Sequence, residues 1–264
     1  MGTTISLQTF GASADTEDRF FDEIRGLEAR LSRFRHDSEV MRLERGELRV
    51  DDASPQVREV LVRCEVMRTE TDGAFDHRPV VDGHPVLDPN ALAKGRIIEQ
   101  ATVHLQIAGV RSFFVNAGGD IIVGAPPAGR ESWRVGIANP HRPDTLFATI
   151  DLVDAAVATS GRYERGDHVR RAPSAFGQPD ELAGVTVVGP ELAAADALAT
   201  AVLAGGEPRP SWWPRDTPYG IISIDASGRV YTTDDLAGRI RLGRGGPDRT
   251  GAANETPVRL PNVG

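Results

Sequence analysis

The stretch Ala194-Ala195-Asp196-Ala197-Leu198-Ala199-Thr200 places one carboxylate and one hydroxyl four residues apart inside an otherwise apolar run. On a helix, Asp196 and Thr200 fall one turn apart on the same face. A carboxylate oxygen and a hydroxyl oxygen so placed suit a hard cation such as Mg²⁺, which takes few protein oxygens together with phosphate and water. The same residues also read as a small-residue helix packed on a sheet, with Asp196 near its first turn and favoured by the helix dipole. This stretch alone leaves both readings open. Lys94 begins another helix-like segment, where its charge opposes the dipole unless an anionic phosphate or carboxylate lies nearby. It is the one lysine of the sequence, and arginine supplies nearly all the positive charge.

Other familiar chemistries fail on context. Gly118-Gly119-Asp120 is glycine-rich, but no G-x-G-x-x-G opens a helix there and the residues after it are strand-like. No P-loop, H-E-x-x-H or paired Cys/His spacing occurs. His36, His77, His84 and His141 fall in loop-like segments, where a lone histidine is commonly solvated. Ser160 lies in Thr159-Ser160-Gly161 and lacks the G-x-S-x-G setting of a hydrolase nucleophile.

The elements that must carry these residues follow from period and punctuation. Alternation predicts a strand over 3–10. Phe20, Ile24, Leu27, Leu31 and Phe34 recur at helical spacing and predict a helix over 15–34. A short helix is expected over 39–45, capped by Asp37 or Ser38, then a turn and short strand over 46–50. Ser54-Pro55 supplies a cap and a proline at the first position of the next helix, over 55–69. Residues 77–90 read as an irregular loop, 90–108 as a helix, 112–116 as a strand, and 121–123 as a continuation of that extended run. Further strands are expected over 133–138, 146–152 and 185–188, followed by a helix over 191–203. A charged loop spans 162–180. Segments 219–225 and 228–232 form a hairpin about Asp225-Ala226-Ser227-Gly228. A last strand is expected over 239–242. Strands fall in pairs and alternate irregularly with helices, so the expected class is α+β, with mixed or antiparallel sheets packed with helices. Residues 1–242 form one domain in this reading, and Gly, Pro, Asn and Asp make 243–264 an expected disordered tail.

Composition bounds the rest. A chain of 264 residues with 40% hydrophobic and 26% charged residues has enough apolar surface for a real core. A formal net charge of −8 argues against nonspecific binding to nucleic acid or an anionic membrane. No apolar run approaches the ~20 residues of a membrane span. The opening residues lack a basic segment followed by an apolar core, so a cytoplasmic location is expected. The single cysteine, Cys64, excludes an intrachain disulfide and reads as a small buried hydrophobe.

The order of the motifs carries more than any one of them. Met1-Gly2-Thr3-Thr4 is followed by Leu31-Ser32-Arg33-Phe34-Arg35-His36-Asp37-Ser38-Glu39, and then by Thr71-Asp72-Gly73-Ala74-Phe75-Asp76. Asp88 with Ala93-Lys94-Gly95, Asn116-Ala117-Gly118-Gly119-Asp120, Ala158-Thr159-Ser160-Gly161, and Asp196-Ala197 ahead of Thr200 complete the series. From residue 1 to about 235, the set resembles the ApbE family of flavin transferases. The resemblance implies an α+β FAD:protein FMN transferase that uses Mg²⁺, moves FMN from FAD onto a Thr or Ser hydroxyl of an acceptor protein, and releases AMP. It implies that Asp196, Thr200 and the backbone carbonyl of Ala91 hold Mg²⁺. It further implies that Met1, Phe34, Ala74, Phe75, Asp76, Asp88 and Lys94 line the FAD site. His168 falls at the histidine of the family's His-Ile-x-Asp-Pro motif and would be the catalytic base. Here that motif reads His168-Val169-Arg170-Arg171-Ala172-Pro173, without the acid, and Phe34 stands where a tyrosine is usual. Two alternatives share the same site: an FAD pyrophosphatase yielding FMN and AMP, and a non-catalytic FAD-binding protein.

Overall fold

A computed structural model describes residues 2–161, 182–214, 216–233, 236 and 239–242 of the chain. Strand β1 (Ile5–Thr9) leads to helix α1 (Ala14–Leu31), whose first turn is capped when the Ser13 hydroxyl accepts from the Thr16 N–H at 3.3 Å. The predicted stripe Phe20, Ile24, Leu27 and Leu31 is buried. The chain leaves helical geometry at Ser32 (ψ 129°), three residues earlier than expected, and Phe34 turns outward with 78% of its surface exposed. Ser38 caps helix α2 (Glu39–Glu44), accepting from the Met41 N–H at 3.1 Å.

The short strand expected up to Val50 does not form. Gly46 turns the chain at φ 71°, and local bonds from Asp52 N–H to Arg49 O and from Ala53 N–H to Val50 O close a 3₁₀ turn over Val50–Asp52. Local carbonyls satisfy these amides instead of a strand ladder. Helix α3 (Pro55–Glu70) then opens at Ser54-Pro55 as expected and buries Cys64, whose thiol burial pushes up to about 12. Residues 77–90 hold a small hairpin that the loop reading missed. Strands β2 (Val80–Val81) and β3 (His84–Pro85) pair around Asp82-Gly83, both at positive φ, a dipeptide suited to a type I′ turn.

Helix α4 (Asn90–Ile107) precedes β4 (Phe113–Ala117) and β5 (Asp120–Val123). Next come β6 (Trp133–Asn139), β7 (Arg142–Leu152), β8 (Ala155–Gly161), β9 (Leu182–Gly189) and helix α5 (Leu192–Gly205). Strands β10 (Gly220–Asp225), β11 (Val230–Thr232) and β12 (Ile240–Leu242) follow. Among the described residues, seven strands form one sheet in the order β1-β4-β5-β8-β9-β10-β11, with every neighbouring pair antiparallel. A second sheet has the order β12-β7-β6. The expected α+β class, with antiparallel sheets packed with helices, is what forms.

Period-two alternation sorts the large sheet's side chains into two cores. Ala156, Ala158, Val187 and Ile221 join the helices' buried residues, whereas Val157, Val188 and Ile222 pack with Trp133, Val135 and Ile150 of the small sheet. The large sheet is therefore a middle layer, with helices on one face and β6, β7 and β12 on the other. Trp212 and Trp213 pack against the helix-side core. Among the described residues, no helix is long and apolar enough to cross a membrane. The predicted loop over 162–180 and the tail over 243–264 fall outside the described residues.

Candidate active site

Three elements converge on the helix-facing side of the middle sheet. The first is the β4–β5 hairpin. Gly118 and Gly119 sit at φ 64° and 98°, and Ala117 pairs with Asp120 across the turn. The Asn116 carboxamide oxygen accepts from the Gly119 N–H at 2.8 Å, and Gly118 donates to Thr4 O at 3.1 Å. A Cβ on Gly118 would meet the Thr3 hydroxyl at 1.9 Å, so both its φ and its neighbour call for glycine. The run expected to continue straight through 121–123 instead folds back, and this reversal aims Asp120 at the helices.

The second element is the N-terminal part of α4, which carries Ala91 and Lys94. The third is α5, with Asp196 and Thr200. Two contacts hold the helices together. A Cβ on Gly95 would lie 2.5 Å from Ala193 Cα and N, so the backbones approach too closely for any side chain between them. The Glu99 carboxylate of α4 accepts from the Ala193 N–H at 2.8 Å, serving the amino end of α5 in place of a local cap. Burial pushes the Glu99 carboxyl above its ordinary range, and the Ala193 N–H and Arg96 oppose that shift.

This packing sets Lys94 between two acids. Its ammonium pairs with the Asp120 carboxylate and lies 3.4 Å from Asp196 Oδ2. Both acids are essentially without solvent exposure. The second oxygen of Asp120 accepts from the Thr159 N–H on β8 at 3.1 Å, which fixes the carboxylate to the sheet. One turn along α5, the Thr200 and Ser160 hydroxyl oxygens are 3.2 Å apart. The helical face predicted for Asp196 and Thr200 is therefore real, and it looks onto β5 and β8. A buried carboxylate with a hydroxyl on the same face is a hard-oxygen donor set, the kind that Mg²⁺ takes.

The residues expected around FAD lie in neighbouring segments. Asp88 precedes α4; its Oδ1 accepts from the Asn90 N–H at 3.2 Å, and its Oδ2 meets Arg33 at 3.2 Å. Arg33 also approaches Glu44 at 3.7 Å, so Asp88 is tied to the segment carrying Phe34. Ala74 is half-buried, Phe75 lies within the helix-side core and Asp76 is exposed. Met1 and His168 lie outside the described residues. Sequence reasoning assigned no role to Asp120. Its signal was the paired glycines before it, which reverse the chain and turn its side chain inward.

His77 follows Asp76 directly and is 1% exposed. Burial and Arg78 hold its imidazole below the ordinary range, with partial opposition from Glu65 and Asp76. A depressed folded-state pKa means that the unfolded chain binds the proton more readily, so His77's contribution to stability is present above pH ~6.5 and lost as pH falls. His77→Gln is expected to flatten the acid side of the curve of thermal midpoint against pH between 7 and 5. Parallel curves for the two proteins would remove the assignment.

Fold and site together define a layered α+β protein whose acids and single ammonium meet between a glycine hairpin and two helices. Residues 1–82 and 80–218 match the ApbE family, and the chain belongs to that family. The FAD:protein FMN transferase of Rhodobacter capsulatus is 30% identical over 173 residues, covering 61% of this chain and 32% of the relative. That of Treponema pallidum (strain Nichols) is 27% identical over 209 residues, covering 70% of this chain and 58% of the relative. The chain thus spans about a third to under three fifths of these relatives' lengths. The flavin transferase ApbE from Vibrio cholerae shares the fold at a TM-score of 0.73 and 22% identity, over 90% of this chain and 96% of that one. The apo flavinyl transferase ApbE of Pseudomonas stutzeri does so at 0.66 and 21%, over 91% and 98%.

Proposed function

We propose that this chain is a Mg²⁺-dependent FAD:protein FMN transferase that modifies a Thr or Ser hydroxyl of an acceptor protein and releases AMP. The observation that carries the reading is the meeting of Lys94, Asp120 and Asp196 one helical turn from Thr200, in a member of the ApbE family. In this reading Asp196, Thr200 and the Ala91 carbonyl hold the metal, and Lys94 binds the diphosphate of FAD. When bound, Mg²⁺ neutralises phosphate charge and stabilises the leaving AMP. The exposed Phe34 ring stacks on adenine, and Ala74, Phe75, Asp76, Asp88 and Met1 complete the FAD site. The acceptor oxygen forms a bond to the phosphorus on the FMN side, the P–O bond to AMP breaks, and the hydroxyl proton passes to His168.

Incubation with FAD and Mg²⁺, with and without a threonine-bearing acceptor peptide, tests the reading by AMP release and by flavin mass on the peptide. AMP together with a labelled peptide is the expected result. AMP that forms without label would assign an FAD pyrophosphatase, and FAD binding without AMP would assign a carrier. His168→Ala is expected to lower peptide labelling by about 10²- to 10⁴-fold while FAD affinity, read by fluorescence, stays near that of the parent. Full labelling by that variant would remove the base role.

A further inference from the structure

Lys94 is the only lysine in the sequence, and it faces two buried carboxylates at once. The cluster brings one basic and two acidic side chains together. The two acids differ in how they are held. Asp120 is anchored to the sheet by the Thr159 N–H, whereas Asp196 sits on α5 beside Thr200, on the proposed metal-binding face. A buried carboxylate is costly without a cation beside it. Lys94 supplies that cation to Asp196 across 3.4 Å, and a divalent ion at Asp196 would compete for the same oxygens. Asp120 offers the displaced ammonium a second, fixed seat.

We propose that Lys94 is an internal counter-ion for the metal site and that Asp120 is the positioning residue that draws it off Asp196 when a divalent cation binds. This rests on the proposed metal reading and assigns Asp120 a part in it. The pair acts as a two-position exchange: the ammonium is shared between both acids without metal and rests on Asp120 with metal. Metal affinity is then set by side chains that do not themselves bind the ion. The two partners have opposite effects. Losing the ammonium removes a competitor, whereas losing the Asp120 charge shifts Lys94 toward Asp196.

The test is direct titration of the full chain with Mn²⁺, a stand-in for Mg²⁺ whose free form is read by electron paramagnetic resonance. Asp120→Asn keeps an oxygen for the Thr159 N–H and is expected to weaken Mn²⁺ binding by about tenfold or more. Lys94→Gln is expected to tighten it by a similar factor. Circular dichroism establishes folding of both variants, and if Lys94→Gln does not fold, Asp120→Asn decides alone. Binding by Asp120→Asn that equals or exceeds that of the parent overturns the exchange while leaving the metal reading intact. A parent chain that binds no Mn²⁺ overturns both.

Discussion

Asp196→Asn is expected to lower Mg²⁺-dependent AMP release from FAD by about 10²- to 10³-fold, the usual scale for deleting one group that stabilises transition-state charge. Its thermal midpoint is expected to stay within about 3 °C of the parent, a change of roughly 1 kcal/mol for a chain of this size. The two readouts separate because of the geometry. Asparagine preserves the shape of a fully buried side chain. Lys94 keeps its pairing with Asp120, so the substitution strands no buried ammonium. What the change does remove is the anionic oxygen on the face shared with Thr200. Initial rates of AMP formation by chromatography, measured across a Mg²⁺ series, check the first part, and calorimetry checks the second. Parent-level AMP release would dismiss Asp196 as a metal ligand. A collapsed melting transition would mean that its role is structural.

Gly95→Ala is expected to destabilise the fold even though alanine is the better helix former by about 1 kcal/mol. The added Cβ would stand 2.5 Å from Ala193 backbone atoms and 2.7 Å from the Leu192 carbonyl carbon, and backbone cannot swing aside as a long side chain does. Overpacking of this kind costs about 1–3 kcal/mol or more, so the clash outweighs the propensity gain. The expected fall in thermal midpoint is about 2–4 °C for each kcal/mol lost. Relief requires α5 to move away from α4, which lengthens both the Glu99–Ala193 bond and the Lys94–Asp196 contact. FAD turnover is therefore expected to fall further than the fraction unfolded accounts for. An unchanged or raised midpoint would show that the helix pair accommodates a methyl group.

Much of the local structure was legible from single residues. Ser38 and Ser54 announce helix starts, and each does cap one, as Ser13 does at the start of α1. The spacing of Phe20, Ile24, Leu27 and Leu31 identifies the buried face of α1, and the four-residue interval from Asp196 to Thr200 identifies one face of α5. Such signals are local and depend on helical period alone. What was not legible depends on contacts between distant segments. Asp120 becomes a site residue only because β5 pairs with β8 and lies beneath α4, bringing positions 94, 120, 159 and 196 together. Gly95 reads as an ordinary helix residue until Ala193 is packed on it. The strand expected near Val50 failed for the converse reason, since extended propensity without an adjacent edge yields to local hydrogen bonds. Asp82-Gly83 was readable as a hairpin turn, but the flanking prolines and histidines hid strands of two residues each.

The seating of Lys94 has a practical side. Every side-chain amine in this polypeptide is one nitrogen, and that nitrogen lies in the cluster between two acids. Amine-directed dyes, crosslinkers and coupled resins therefore have no decoy side chain to consume them, and apart from a terminal amine they report on this cluster alone. A lysine-specific protease likewise has one bond to cut, which the packed α4–α5 pair shields in the folded chain. The protein is thus chemically addressable at its candidate site without any engineered handle.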